Sequence, residues 1–144
     1  MKPIVAFCLC LCLSATTSHA AERDVRNEVA MGALAFAEIC QRCHKADGYG
    51  EDGLYPSLHR AALMADRERL VRTILDGRKR HLASGDGKDE QALMPALAFL
   101  SDREIVSIIA FITNSWGNDV LLIPESEVAA IRRQLNPPRV RAEP

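Results

Sequence analysis

Cys40-Gln41-Arg42-Cys43-His44 is the stretch on which the reading of this chain turns. Two thiols three residues apart, with an imidazole directly after the second, form the C-x-x-C-H pattern of covalent haem attachment. The spacing has a chemical reason. Cys40 and Cys43 can each bond one vinyl group of a single porphyrin, and His44 then reaches the iron from one face. Rival readings of these five residues are weaker. A redox dithiol uses C-x-x-C after a strand in a βαβ unit, whereas the residues before Cys40 read as helix. A structural zinc site needs four ligands at suitable spacing. Beyond residue 20 the other histidines are His59 and His81, 22 positions apart. A plain disulfide leaves the adjacent His44 unexplained.

Toward the N terminus, Lys2 gives a positive start, Ile4 to Leu13 is a run of ten apolar residues, and Ser18-His19-Ala20 offers small residues where a signal peptidase reads. This predicts a secretory signal at 1–20, cleaved after Ala20. Ten apolar residues fall short of the roughly 20 that a membrane span needs. Cys8, Cys10 and Cys12 lie inside this segment, and each follows a bulky residue, unlike a lipoprotein signal. The remaining chain holds only Cys40 and Cys43, so no wider disulfide framework can form. The expected organisation is a signal at 1–20, one domain at 21–136 and a loose tail at 137–144 containing Pro137-Pro138.

The 144 residues are 48% hydrophobic and 26% charged, the balance of a single globular domain. Aromatic residues make up 5%, so the core would gain from a large apolar cofactor at its centre. Without Lys2 the chain carries 17 basic against 19 acidic residues, a net charge of −2, which gives no sign of a nucleic-acid partner. No internal repeat appears, so one haem is expected.

Val25, Val29, Gly32, Ala33 and Phe36 recur at helical steps and predict an amphipathic helix ending near the motif. Met31 is read as a packing residue of the same helix. Gly48, Gly50 and Gly53 mark a loop. Asp66 caps a second helix with Leu70, Val71, Ile74 and Leu75 on its apolar side, ended by Gly77. A long loop is expected from about Gly77 to Leu100, with Arg78-Lys79-Arg80, Gly85 and Gly87 inside it; no strand-like run is evident. Ser101 with Glu104 forms a capping box before a helix whose stripe is Ile105, Ile108, Ile109 and Ile112, with Phe111 on a neighbouring face and Gly117 as the stop. Val120 to Ile123 is ambiguous and could be extended. Pro124 opens a short last helix to about Leu135. The fold class is all-α, with four to five helices around one covalently attached haem.

Taken in order, these segments resemble class I cytochrome c, in particular the single-haem domains that serve periplasmic dehydrogenases. The resemblance runs from about Asn27 to Gln134. It is carried by Gly32-x-x-x-Phe36, the haem motif, Tyr55-Pro56-x-Leu58, Leu93-Met94-Pro95-Ala96, Leu100-Ser101-Asp102-x-Glu104-Ile105 and Asn114-Ser115-Trp116-Gly117-Asn118. It implies the cytochrome c fold, with the first and last core helices crossing at Gly32, Phe36 and Phe111. It assigns Met94, in its Met-Pro setting, as the thioether opposite His44. Met64 remains an unplaced second methionine. The resemblance also makes Pro56 the carbonyl that accepts the other ring N–H of His44, a bond that fixes a ligating imidazole. Tyr55 either lines the haem edge, with its hydroxyl toward a propionate, or is a half-exposed packing residue. Trp116 either stacks near the haem or anchors the chain just past the helix.

A His44/Met94 pair raises the haem potential relative to two histidines. The expected function is a periplasmic carrier of single electrons between redox proteins by outer-sphere transfer, with haem c as cofactor. The implied donor is a dehydrogenase, and the implied acceptor an oxidase or another cytochrome in a respiratory chain. No membrane span is expected after cleavage. Arg78-Lys79-Arg80 could steer an acidic partner or simply be a solvated loop. Two alternatives stay open. The chain could be a permanent subunit of a dehydrogenase complex, with Val120 to Ile123 as a contact patch, although burial of that segment against the core is the favoured reading. It could be a haem peroxidase or gas sensor if Met94 does not hold the iron, with His59 or His81 approaching the open face.

Overall fold

The computed structural model describes residues 22–52, 54–81 and 90–136. The predicted signal at 1–20 and tail at 137–144, together with Gly53, Gly85 and Gly87, lie outside them. The first helix, α1, runs over residues 22–35, passes through a π-helical turn at Phe36–Cys40 and closes with an α-turn at Gln41–His44. A 3₁₀ turn at Ala62–Ala65 precedes α2, Arg67–Asp76. The strands β1, Arg78–His81, and β2, Glu90–Met94, follow. The last two helices are α3, Asp102–Thr113, and α4, Glu125–Leu135. The helices make this an all-α fold.

Local chemistry sets the helix ends. The Asp66 carboxylate accepts from Arg69 N at 3.0 Å and starts α2. Ser101 and Glu104 form the full reciprocal capping box at the start of α3, with Ser101 N donating to Glu104 Oε2 at 2.7 Å. Glu104 is held below the ordinary value of its carboxyl, first by the Ser101 side-chain bond and then by the Ser101 backbone bond.

The core is one cluster of helix-borne residues. Leu70, Val71, Ile74 and Leu75 of α2, Ile105, Ile108, Ile109 and Ile112 of α3, and Val128 and Ile131 of α4 are all buried in it. The crossing of α1 and α3 depends on Gly32: a Cβ there would lie 1.8 Å from Ser107 O. Phe36 and Phe111 meet beside it with ring centroids 5.2 Å apart. Glu28 bridges the same crossing, accepting from Ser107 Oγ at 2.6 Å and Arg103 Nη2 at 2.7 Å.

Two expectations need correction. The segment after Gly77 is not wholly loop. Arg78 pairs with Met94 and His81 with Glu90 in an antiparallel ribbon, irregular between Arg78 and Lys79. Arg78-Lys79-Arg80-His81 offers no apolar alternation, so the period-two signal of a strand is missing. Met31 is not a packing residue. It is 46% exposed, because it sits one position off the Val25, Val29, Gly32, Phe36 stripe and points about 100° away from it. Residues 120–123, left ambiguous by the sequence, divide: Ile123 is buried in the core, whereas Val120 and Leu122 are exposed. Leu121 N donates to Thr113 Oγ1 at 3.2 Å and fastens this segment to the end of α3.

Candidate functional site

A cavity of about 440 Å³ opens between the end of α1, the loop at 54–58, α2, the Met94-Pro95 segment and α3. Its size lies in the range of cofactor pockets. Phe36, Ile39, Cys40, Cys43 and His44 line it from α1. Gln41 N–H bonds Phe36 O across the π turn. Such turns gather at functional sites, and nothing in the sequence marks this one. Cys40 and Cys43 are free thiols, half-buried in the cavity wall. Burial pushes the Cys40 thiol up to about 11, and the neighbouring Cys43 adds to this.

His44 is placed by the loop that follows it. Its Nδ1 donates to Pro56 O at 3.1 Å, which puts the proton on Nδ1 and leaves the Nε2 lone pair free. Burial lowers the pKa of the imidazole, and the Pro56 bond works against that shift. The neutral, ligating form is therefore favoured. Gly50 makes the loop possible: it has φ +70, and a Cβ on it would lie 2.3 Å from Tyr55 O and 2.9 Å from Pro56 O. Gly50 N donates to His44 O at 3.0 Å and closes the turn.

Met94 also lines the cavity, brought there from the end of β2. The C-terminal end of α2 stops at Gly77, with φ +71, and a Cβ there would lie 2.3 Å from Met94 O. Leu97 N donates to Ile74 O at 3.0 Å just beyond. The six residues singled out in the sequence, Cys40, Cys43, His44, Tyr55, Pro56 and Met94, thus line one cavity. Two residues that sequence reasoning did not place there also line it. Met64 is buried at 6% exposure. Arg78, read only as part of a basic run, brings a cation to an otherwise largely apolar wall. Gly77, a forced stop directly before Arg78, was the available clue to that placement. Met31 is outside the cavity.

Trp116 does not line the cavity. It packs its ring against Phe36 and Phe111, at 5.4 and 5.5 Å between centroids. This is the anchoring role. Gly48 lies beneath it, where a Cβ would come within 2.6 Å of the indole. His59 is occupied elsewhere: its Nε2 lies 2.6 Å from Asp47 O, and its ring stacks between Tyr49 and Trp116. Among the described residues no group of three or more His, Cys, Asp or Glu side chains could hold a metal ion, which leaves the zinc reading without ligands.

A helical domain with C-x-x-C-H closing its first helix, a backbone-held imidazole and a thioether lining the same cavity is a class I c-type cytochrome. Residues 27–112 match the family described as cytochrome C oxidase, cbb3-type, subunit III, and the chain belongs to that family. The cytochrome c-552 of Thermus thermophilus is 30% identical over 123 residues, which is 78% of this chain and 92% of that protein. The gluconate 2-dehydrogenase cytochrome c subunit of Pantoea cypripedii is 29% identical over 107 residues, 71% of this chain. The fructose dehydrogenase cytochrome subunit of Gluconobacter japonicus is 28% identical over 110 residues, 70% of this chain. The chain spans 24% and 22% of the length of those two dehydrogenase subunits. Membership carries covalently bound haem c and electron transfer with it. The residues present fit that group: two unpaired thiols, an imidazole with Nε2 free, and a mostly apolar cavity with one guanidinium at its wall.

Proposed function

We propose that this chain is an exported single-haem carrier that passes electrons one at a time between redox proteins, with His44 and Met94 as the axial ligands. The observation that carries this reading is the convergence of Cys40, Cys43, His44, Pro56 and Met94, distant in sequence, on one cavity. Reversible one-electron chemistry is what haem c supplies when bound. The chain's own residues do the rest. Cys40 and Cys43 hold the group by thioether bonds. Pro56 O keeps the His44 ring in one orientation and one tautomer. Met94 offers a soft sulfur, which favours the reduced state. Leu58, Leu70, Ile74, Leu97 and Ile108 keep water from the iron. Arg78 would offer its guanidinium to a propionate, and Tyr55 lines the same cavity. Held by His44 and Met94, the group would supply outer-sphere transfer of single electrons.

The segment at 1–20 directs the chain to the periplasm, where a dehydrogenase donor and an oxidase or cytochrome acceptor dock weakly, as redox encounters do. Among the described residues no helix is long and apolar enough to cross a membrane. Two relatives named as dehydrogenase cytochrome subunits favour a second reading, in which this domain serves within such a complex. Size-exclusion of the native protein separates the two: a carrier elutes alone, a subunit elutes with its partner.

The ligand assignment is tested by Met94→Ala, Met64→Ala and Met31→Ala, each followed by absorption spectrum and midpoint potential. Met94→Ala is expected to abolish the sulfur-to-iron charge-transfer band, open the iron and lower the potential. The other two keep the low-spin spectrum. An unchanged spectrum in Met94→Ala rejects the assignment. A high-spin native protein that binds peroxide or gases rapidly points to a peroxidase or sensor instead.

A further inference from the structure

We infer that Arg132 of α4 is a positioning residue that keeps the Met94 segment closed over the cavity, an inference that rests on Met94 as axial ligand. The segment from Pro95 to Leu100, which follows Met94, has no regular structure of its own. Backbone contacts hold its near end and its middle: Met94 pairs with Arg78 in the ribbon, and Leu97 N donates to Ile74 O at 3.0 Å. At its far end Leu100 is buried in the core at 3% exposure, and one guanidinium gathers the acceptors around it. Arg132 Nη1 donates to Ala98 O at 2.7 Å, Nη2 to Leu100 O at 2.6 Å, and Nε to Asp102 Oδ1 at 2.8 Å.

Three different nitrogens thus reach three acceptors within five residues. A planar fork presents these donors from three separate nitrogens in a fixed arrangement, whereas an ammonium must reach every acceptor from a single atom. The bonds are charge-assisted, and the Arg132–Asp102 pair is three-quarters shielded from solvent on both sides, so they are stronger than surface contacts. Arg132 itself is fixed by its neighbours in α4: Val128 and Ile131 are buried in the core. A thioether is a soft and weak iron ligand, so how often it leaves depends on how easily its segment swings away. Arg132 lies beyond residues 27–112, the stretch that the family model matches.

The test uses the haem-loaded ferric protein and measures the rate at which added imidazole replaces the sulfur, alongside the thermal midpoint. Arg132→Ala is expected to speed imidazole entry by about tenfold or more, since losing one charge-assisted hydrogen bond shifts an opening equilibrium by at least that factor. Arg132→Lys is expected to fall between it and the native protein. Ile131→Val is the control, because it loosens α4 without touching the guanidinium and should leave the rate unchanged. Native-like rates in both Arg132 variants overturn the clamp, as does a rate that simply tracks thermal midpoint through Ile131→Val. If Arg132→Ala does not fold, Arg132→Lys decides by the same criteria. A native protein without the sulfur-to-iron band removes the Met94 assignment and the clamp with it, whereas a normal native spectrum with unmoved variants removes only the clamp.

Discussion

The two walls of the cavity are built on different principles. The His44 wall is local: eighteen residues, 39–56, supply both thiols, the imidazole and the carbonyl that orients it. Its parts are held by short-range bonds, such as Gly50 N to His44 O and Tyr55 N to Glu51 O. The Met94 wall is assembled from afar. Its methionine sits where the ribbon ends, braced by Ile74 of α2, by Gly77 and by Arg132 of α4. A local wall survives most disturbance of the fold. A remote wall is only as firm as the packing of the helices behind it.

Substitutions can break or sharpen this contrast. The largest effect belongs to the local wall: Cys40→Ala combined with Cys43→Ala should leave no covalent pigment on the chain, as read by haem-stained denaturing gels. Next comes Met94→Ala, expected to lower the midpoint potential by on the order of 0.1 V or more, within the roughly 0.8 V that axial ligands span. The pigment should stay attached, which is the contrast in one experiment. Met64→Ala removes a buried side chain from the remote wall and should cost about 2–5 kcal/mol in denaturant unfolding while the low-spin spectrum persists. Gly77→Ala meets both the positive φ and the Met94 carbonyl, and should destabilise by about 1–3 kcal/mol and weaken the sulfur band. Ser101→Ala is the smallest, about 1 kcal/mol for a lost cap. It also has a pH signature. Glu104 in the fold lies below its ordinary value of 4.5. Its contribution is therefore fully present above that value and fades as the pH falls through the lowered one. Ser101→Ala should flatten that acid-side slope in urea unfolding.

Legibility followed the same division. The local wall could be read residue by residue, because C-x-x-C-H and Tyr55-Pro56 lie close in sequence. Helix ends were equally legible at Asp66, Ser101 and Gly77, where capping chemistry is local. The Gly32 crossing came through family likeness, and its cause is the 1.8 Å approach of Ser107 O. What stayed hidden was long-range. The ribbon lacks apolar alternation, so backbone pairing alone builds it. Arg78 reads as a surface cation until Gly77 turns it toward the cavity. The reach of Arg132 to residues 98–102 leaves no local mark, since an arginine in a last helical turn is ordinary. Met31, Met64 and Met94 could not be sorted by periodicity alone, and the fold separates Met31 from the other two by exposure.

Electron transfer by this chain requires a porphyrin bonded at Cys40 and Cys43. Intact mass of the exported, matured protein measures this most directly, with acid–acetone extraction as its companion. The account predicts one haem's mass added to the chain, retained through extraction and mapped to the peptide holding residues 40–44. A chain at bare polypeptide mass, or pigment that extracts freely, would contradict it.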